Sequence, residues 1–66
     1  MKLTIHKEDD AIYLRLDESE VVESEEVQNG IILDYNAQGK VIGVEILYLS
    51  QRSPQALQQV LLETTP

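Results

Sequence analysis

Cysteine is absent from this 66-residue chain, which excludes disulfide staples and thiolate zinc sites and fits a reducing compartment. Tryptophan and phenylalanine are absent too, and 3 tyrosines are the whole aromatic content. Tyr13, Tyr35 and Tyr48 lack the interleaved basic residues of a single-strand nucleic-acid platform. Histidine occurs once, as His6. A lone histidine without partners makes neither a catalytic relay nor a metal centre, and no serine sits in a nucleophile-elbow motif. The glycines Gly30, Gly39 and Gly43 fit neither a phosphate loop nor a dinucleotide fingerprint, and the calcium-loop pattern is missing. No cofactor or metal is therefore expected.

Basic residues are scarce. Lys and Arg number 5 against 12 Asp and Glu, a formal net charge of -7. Such a surface repels phosphate backbones and anionic membranes, which disfavours direct nucleic-acid or membrane binding. It suits a basic protein partner, or solubility alone. No apolar run approaches the roughly 20 residues of a membrane helix. Lys2 and Leu3 lead into Glu8, Asp9 and Asp10 rather than a signal-peptide core, so the expected location is cytoplasmic.

What is present is an ordinary globular composition, 42% hydrophobic and 26% charged. A chain of this length is expected to form a single domain over 1–66 with a thin core. Self-association, for instance as a homodimer, is the remaining helper once disulfides and metals are set aside.

Alternation of apolar and polar residues predicts strands near 3–7 and 11–16, joined as an antiparallel hairpin through Glu8-Asp9-Asp10. Ile12, Leu14 and Leu16 fall on one face; Ala11, Tyr13 and Arg15 fall on the other. The segment Asp17–Glu26 has no base and includes Glu18, Glu20, Glu23, Glu25 and Glu26. It predicts an acidic edge strand near 22–27, where charge guards against edge-to-edge aggregation. Strands near 31–35 and 40–48 predict a second hairpin. A four-residue loop, Asn36–Gly39, sets Tyr35 opposite Lys40 and Leu33 opposite Ile42. The core face is then Ile31, Leu33, Tyr35, Ile42, Val44, Ile46 and Tyr48. A three-residue loop would bring Asp34 onto that face, so the four-residue loop is expected. Ser53 as cap and Pro54 in the first turn, followed by Leu57, Val60 and Leu61, predict a helix near 54–62. The expected fold is α+β and mostly β: two antiparallel hairpins plus an acidic edge strand in one sheet, with a short C-terminal helix packed on it.

Asp34 and Glu45 are the tempting carboxylate pair. In the expected register Glu45 faces Gly30, four residues from Asp34, or roughly 13 Å along the strand. A dyad for acid–base hydrolysis needs about 5–9.5 Å. Each carboxylate reads better as a solvated or salt-bridged residue, with Arg15 or Lys40 as partner. The candidate surfaces are instead the glutamates Glu23, Glu25 and Glu26, and a part-apolar patch of Tyr13, Ile32, Val41 and Leu47 on the second face.

Five segments together resemble a family. They are Asp10-Ala11-Ile12-Tyr13-Leu14-Arg15-Leu16, Val22-Glu23-Ser24-Glu25-Glu26-Val27, Gly30-Ile31-Ile32-Leu33-Asp34-Tyr35, Gly39-Lys40-Val41-Ile42-Gly43-Val44-Glu45-Ile46-Leu47 and the closing Ser50. In order and spacing they resemble the small bacterial domain of unknown function 2283. The resemblance implies a small, mostly β domain with no established catalytic activity and no catalytic residues to carry over. It also implies, for some members, a place beside small toxin-like proteins, which fits an acidic neutralising partner. The expected function is a non-catalytic protein-interaction module, antitoxin-like and directed at a basic protein. The alternative is a homo-oligomeric structural domain. A small enzyme using Asp10, Asp34 or Glu45 ranks third.

Overall fold

A computed structural model describes residues 1–52, so the helix expected near 54–62 lies outside the described residues. The strands are β1 (Lys2–His6), β2 (Ala11–Arg15), β3 (Glu23–Gln28), β4 (Ile31–Tyr35) and β5 (Val41–Ile46), followed by a short helix α1 (Leu49–Arg52). All five strands form one antiparallel sheet in the order β1-β2-β5-β4-β3. This is the mostly β, α+β architecture that the alternation predicts. The hairpin β1–β2 joins the meander β3–β4–β5 through the β2–β5 pairing.

Each turn has a local cause. A single 3-10 turn at Lys7–Asp9 closes the first hairpin, and Asp10 ends it in the left-handed region at φ 53. Asp tolerates that conformation better than most residues. Asn29-Gly30 joins β3 to β4, and Gly30 alone takes the positive φ of this turn, at 80, a conformation glycine adopts without steric cost. At the third turn the buried Asn36 organises the chain. Its side-chain Oδ1 accepts the amides of Gln38 and Lys40, each at 3.0 Å.

The β4–β5 hairpin departs from expectation in its loop and register. The Asn36 amide donates to the Lys40 carbonyl at 3.0 Å, leaving the three residues Ala37–Gly39 at the tip. Tyr35 pairs with Val41 rather than Lys40, and Leu33 pairs with Val44 rather than Ile42. A bulge reconciles the short loop with an apolar core. Ile42 is the extra residue, since Tyr35 pairs with Val41 and Asp34 with Gly43. One inserted residue reverses strand parity, so Asp34 stays off the apolar face despite the three-residue loop.

Cross-strand partners share a face, which gives two clear sides. One carries Leu3–Leu14–Val44–Leu33 and Ile5–Ile12–Ile46–Ile31 in rows across four strands. Ile42, at 0% exposure, and Ile12 are the buried isoleucines of this core. The other side carries the rows Thr4–Tyr13–Glu45–Ile32–Glu26 and Lys2–Arg15–Gly43–Asp34–Ser24. Tyr48, expected on the core face, falls beyond β5 with φ 55 and is exposed. The helix α1 starts at Leu49 because distant groups take its free amides. Asp10 accepts the Leu49 amide on its carbonyl at 3.0 Å and the Ser50 amide on its carboxylate at 3.0 Å.

Candidate functional site

The acidic edge is β3, exposed along all six of its residues. Strand alternation divides its glutamates between the faces. Glu23 and Glu25 stand opposite Tyr35 and Leu33, while Glu26 stands opposite Ile32 on the reverse side. The three therefore do not form one acidic surface. Glu26 has a folding role as well: its Oε2 accepts the Gly30 amide at 2.9 Å and closes the β3–β4 turn. Tyr35 donates its phenol hydroxyl to Glu25 Oε1 at 3.0 Å. That bond to a carboxylate, with a smaller contribution from desolvation, holds the Tyr35 pKa above the ordinary phenol value. Beside this pair lies an open depression of about 410 Å³, lined by Val22, Glu23, Glu25, Tyr35, Asn36, Ala37 and Gly39. Carboxylates, an aromatic ring and small apolar groups make it a surface for a cationic side chain rather than an anion.

The second expected surface is interrupted. Tyr13 and Ile32 do share a row, but Glu45 stands between them. The bulge sets Val41 opposite Tyr35, a residue of the Leu33 side, and Leu47 lies just past β5. The four residues are not one continuous patch.

The same side holds a polar line whose members lie far apart in sequence. Tyr13 donates to Asp34 Oδ2 at 2.7 Å, and Ser24 donates to Asp34 Oδ1 at 2.6 Å. Three strands, β2, β4 and β3, are tied by one carboxylate. Gly43 of β5 makes the span possible, since a Cβ there would overlap the Tyr13 hydroxyl and approach Tyr13 Cζ to 2.9 Å. The Tyr13 pKa is raised, first by the bond to Asp34 and then by burial. Arg15 does not pair with Asp34 or Glu45 as a salt bridge; its Nε donates to the Asp17 carbonyl at 2.7 Å and its guanidinium also reaches the Ser19 carbonyl. Asp17 in turn accepts the Ser19 amide, and its pKa is lowered chiefly by hydrogen bonds from Ser19.

The observed register also changes the Asp34–Glu45 separation. Glu45 faces Ile32, not Gly30, so it lies two residues from Asp34 along the sheet rather than four. Each Asp34 oxygen already accepts one hydroxyl, Oδ2 from Tyr13 and Oδ1 from Ser24. His6 lies exposed opposite Ala11 on β1. Among the described residues no group of three or more His, Asp or Glu side chains converges as a metal site. No described helix is long and apolar enough to cross a membrane.

The class is a small domain built on one five-stranded antiparallel sheet with an acidic outer strand. The family described as Protein of unknown function (DUF2283) matches residues 2–50, and the chain belongs to it. Neither a curated protein nor a solved structure matches the chain significantly.

Proposed function

We propose that the protein is a non-catalytic protein-interaction module that engages a basic partner through the β3 edge, in the manner of an antitoxin. One observation carries the reading: β3 is an outer strand exposed throughout, with Glu23 and Glu25 beside the Tyr35 depression. An outer strand offers unpaired amides and carbonyls. Glutamates on it repel a second β3 and accept a strand bearing Lys or Arg, so attraction and repulsion both act on partner choice. Opposite charges on neighbouring strands contribute roughly 0.2–1 kcal/mol per pair. The non-catalytic part rests on where the carboxylates are used. Asp10, Asp17, Glu25, Glu26 and Asp34 each accept hydrogen bonds that hold a turn, a loop or adjacent strands together.

The test is an NMR titration with a defined peptide that alternates Lys and Val. The expected result is amide shifts concentrated on β3, reduced by salt and removed by the double reversal E23K/E25K. Shifts spread equally over Glu8, Asp9, Glu18 and Glu20, or none on β3, would overturn the assignment.

A further inference from the structure

The two outer strands are guarded differently. β3 combines three glutamates with a register shift between Glu26 and Gln28. Like charge and bulges are devices that stop an edge from pairing with another copy of itself. β1 carries one charge, Lys2 at its start, and has neither an acidic residue nor a bulge: its ladder runs unbroken from Lys2↔Arg15 to His6↔Ala11.

The direction of the free backbone groups on β1 follows from its neighbours. Leu16 donates its amide to the Ile42 carbonyl at 2.8 Å, so Ile12, Leu14 and Leu16 turn their backbone groups toward β5. Alternation leaves Ala11, Tyr13 and Arg15 to bond β1. Their partners His6, Thr4 and Lys2 therefore bond inward, and Leu3 and Ile5 direct their N–H and C=O groups outward. The side chains of these two residues lie in the rows of the apolar face, and Leu3 is 42% exposed.

We infer that β1 is a self-association edge on which a second copy of this chain pairs antiparallel, about a two-fold axis through Thr4. The strand Lys2-Leu3-Thr4-Ile5-His6 is self-complementary in kind, reading polar, apolar, Thr, apolar, polar in both directions. The axis at Thr4 sets Leu3 against Ile5 of the second copy twice over, in the positions where outward amides and carbonyls exchange bonds. Both apolar rows then continue across the junction. Thr4 meets Thr4 of the second copy on the other face, a pairing that stabilises antiparallel ladders. The product is a closed dimer with a ten-stranded sheet, and its remaining edges are the two acidic β3 strands. Glutamate repulsion stops further growth there. Each copy carries a net charge of -7, so salt strengthens this association, whereas it weakens capture of a basic partner at β3.

The chain has 0 cysteines, so a single introduced thiol reports cleanly. Thr4 occupies a pair without backbone bonds across the axis, where Cα atoms stand about 4.5 Å apart. That spacing lies within disulfide reach. Under mild oxidation T4C is expected to form a covalent dimer on the order of a hundredfold faster than V27C on the β3 edge, as paired copies bring the thiols to millimolar effective concentration. A second variant, I5P, removes an outward donor while leaving the β1–β2 bonds intact. By sedimentation it is expected to be monomeric while its circular dichroism stays that of the wild type. Equal cross-linking rates for T4C and V27C, or a wild-type monomer at submillimolar concentration, would overturn the proposal. Neither readout depends on a β3 partner.

Discussion

Tyr13 on β2 donates its hydroxyl to Asp34 on β4 at 2.7 Å, passing over β5 at the one position there that has no side chain, Gly43. The three residues act as a unit. Tyr13→Phe is expected to cost about 1.5–3 kcal/mol, the value of a hydrogen bond to a charged acceptor. Gly43→Ala puts a methyl where the phenol lies and is expected to cost about 1–3 kcal/mol through overpacking. Because the methyl displaces the same phenol, the double variant is expected to lose less than the sum of the two. Urea melts of the three variants check this, and strict additivity would show that the contact is incidental.

The same bond makes the protein sensitive to alkali. Tyr13 and Tyr35 both have pKa values raised above 10.0, and in each case the first cause is a hydrogen bond to a carboxylate. A phenol with a raised folded value contributes fully below the unfolded value, and its contribution is lost as pH climbs through the folded one. Stability is therefore expected to fall as pH rises past about 10. Tyr13→Phe and Tyr35→Phe should each flatten that alkaline slope relative to wild type. On the acid side Asp17 has the opposite sign, with a value lowered below 3.8 chiefly by Ser19. Its contribution is present above that ordinary value and disappears as pH falls through the folded one. Asp17→Asn is expected to shallow the acid limb while leaving the alkaline limb unchanged.

Faces were more legible in the sequence than pairings. Alternation places Ile31, Leu33, Tyr35, Ile42, Val44, Ile46 and Tyr48 on one side, and the sheet has all of them there except Tyr48, which lies past β5. It could not place Leu33 opposite Val44, because counting from a turn assumes an unbroken ladder and Ile42 breaks it. A short loop with a bulge and a longer loop without one bury the same apolar face, so hydrophobicity alone does not separate them. Asn29-Gly30 did carry a local signal for the β3–β4 turn, and it predicts a partner for the acidic strand. The helix start was hidden for a different reason. Its amides are taken by Asp10, 40 residues away from Ser50 in sequence, and no local pattern around Leu49 records that. The Tyr13–Asp34–Ser24 line was hidden likewise, since it needs the β2–β5–β4–β3 order before its members become neighbours.

The Asp10 contacts make α1 depend on the first hairpin. Asp10 accepts the Ser50 amide at 3.0 Å and the Ser50 hydroxyl at 2.7 Å. Asp10→Ala is expected to cost about 1–2 kcal/mol, comparable to the loss of a helix cap. It also places a Cβ-bearing residue without a polar side chain at φ 53. Asp10→Asn keeps an acceptor and suits the left-handed region, so it should cost less. Hydrogen exchange should show faster exchange at Leu49 and Ser50 in Asp10→Ala, with the strands less affected. Uniform acceleration across the sheet would show that Asp10 supports the whole fold and not the docking of α1.

Gly30 holds the other end of that helix. An added Cβ at Gly30 would approach Arg52 Nη2 to 2.7 Å and Tyr48 Cδ2 to 3.0 Å, and the residue sits at φ 80. Arg52 reaches across the β3–β4 turn, donating to the Asn29 carbonyl at 2.7 Å and the Leu47 carbonyl at 3.0 Å. Two separable costs follow from Gly30→Ala: backbone strain at positive φ, on the order of 1 kcal/mol, and displacement of the arginine. Arg52→Ala removes only the second. Gly30→Ala should therefore be the more destabilising in urea melts. In the Arg52→Ala background the Gly30→Ala penalty should shrink but persist, because Tyr48 and the positive φ remain. If that penalty vanished, the crowding by Arg52 would account for all of it, and the backbone conformation at Gly30 would be one that alanine accepts without strain.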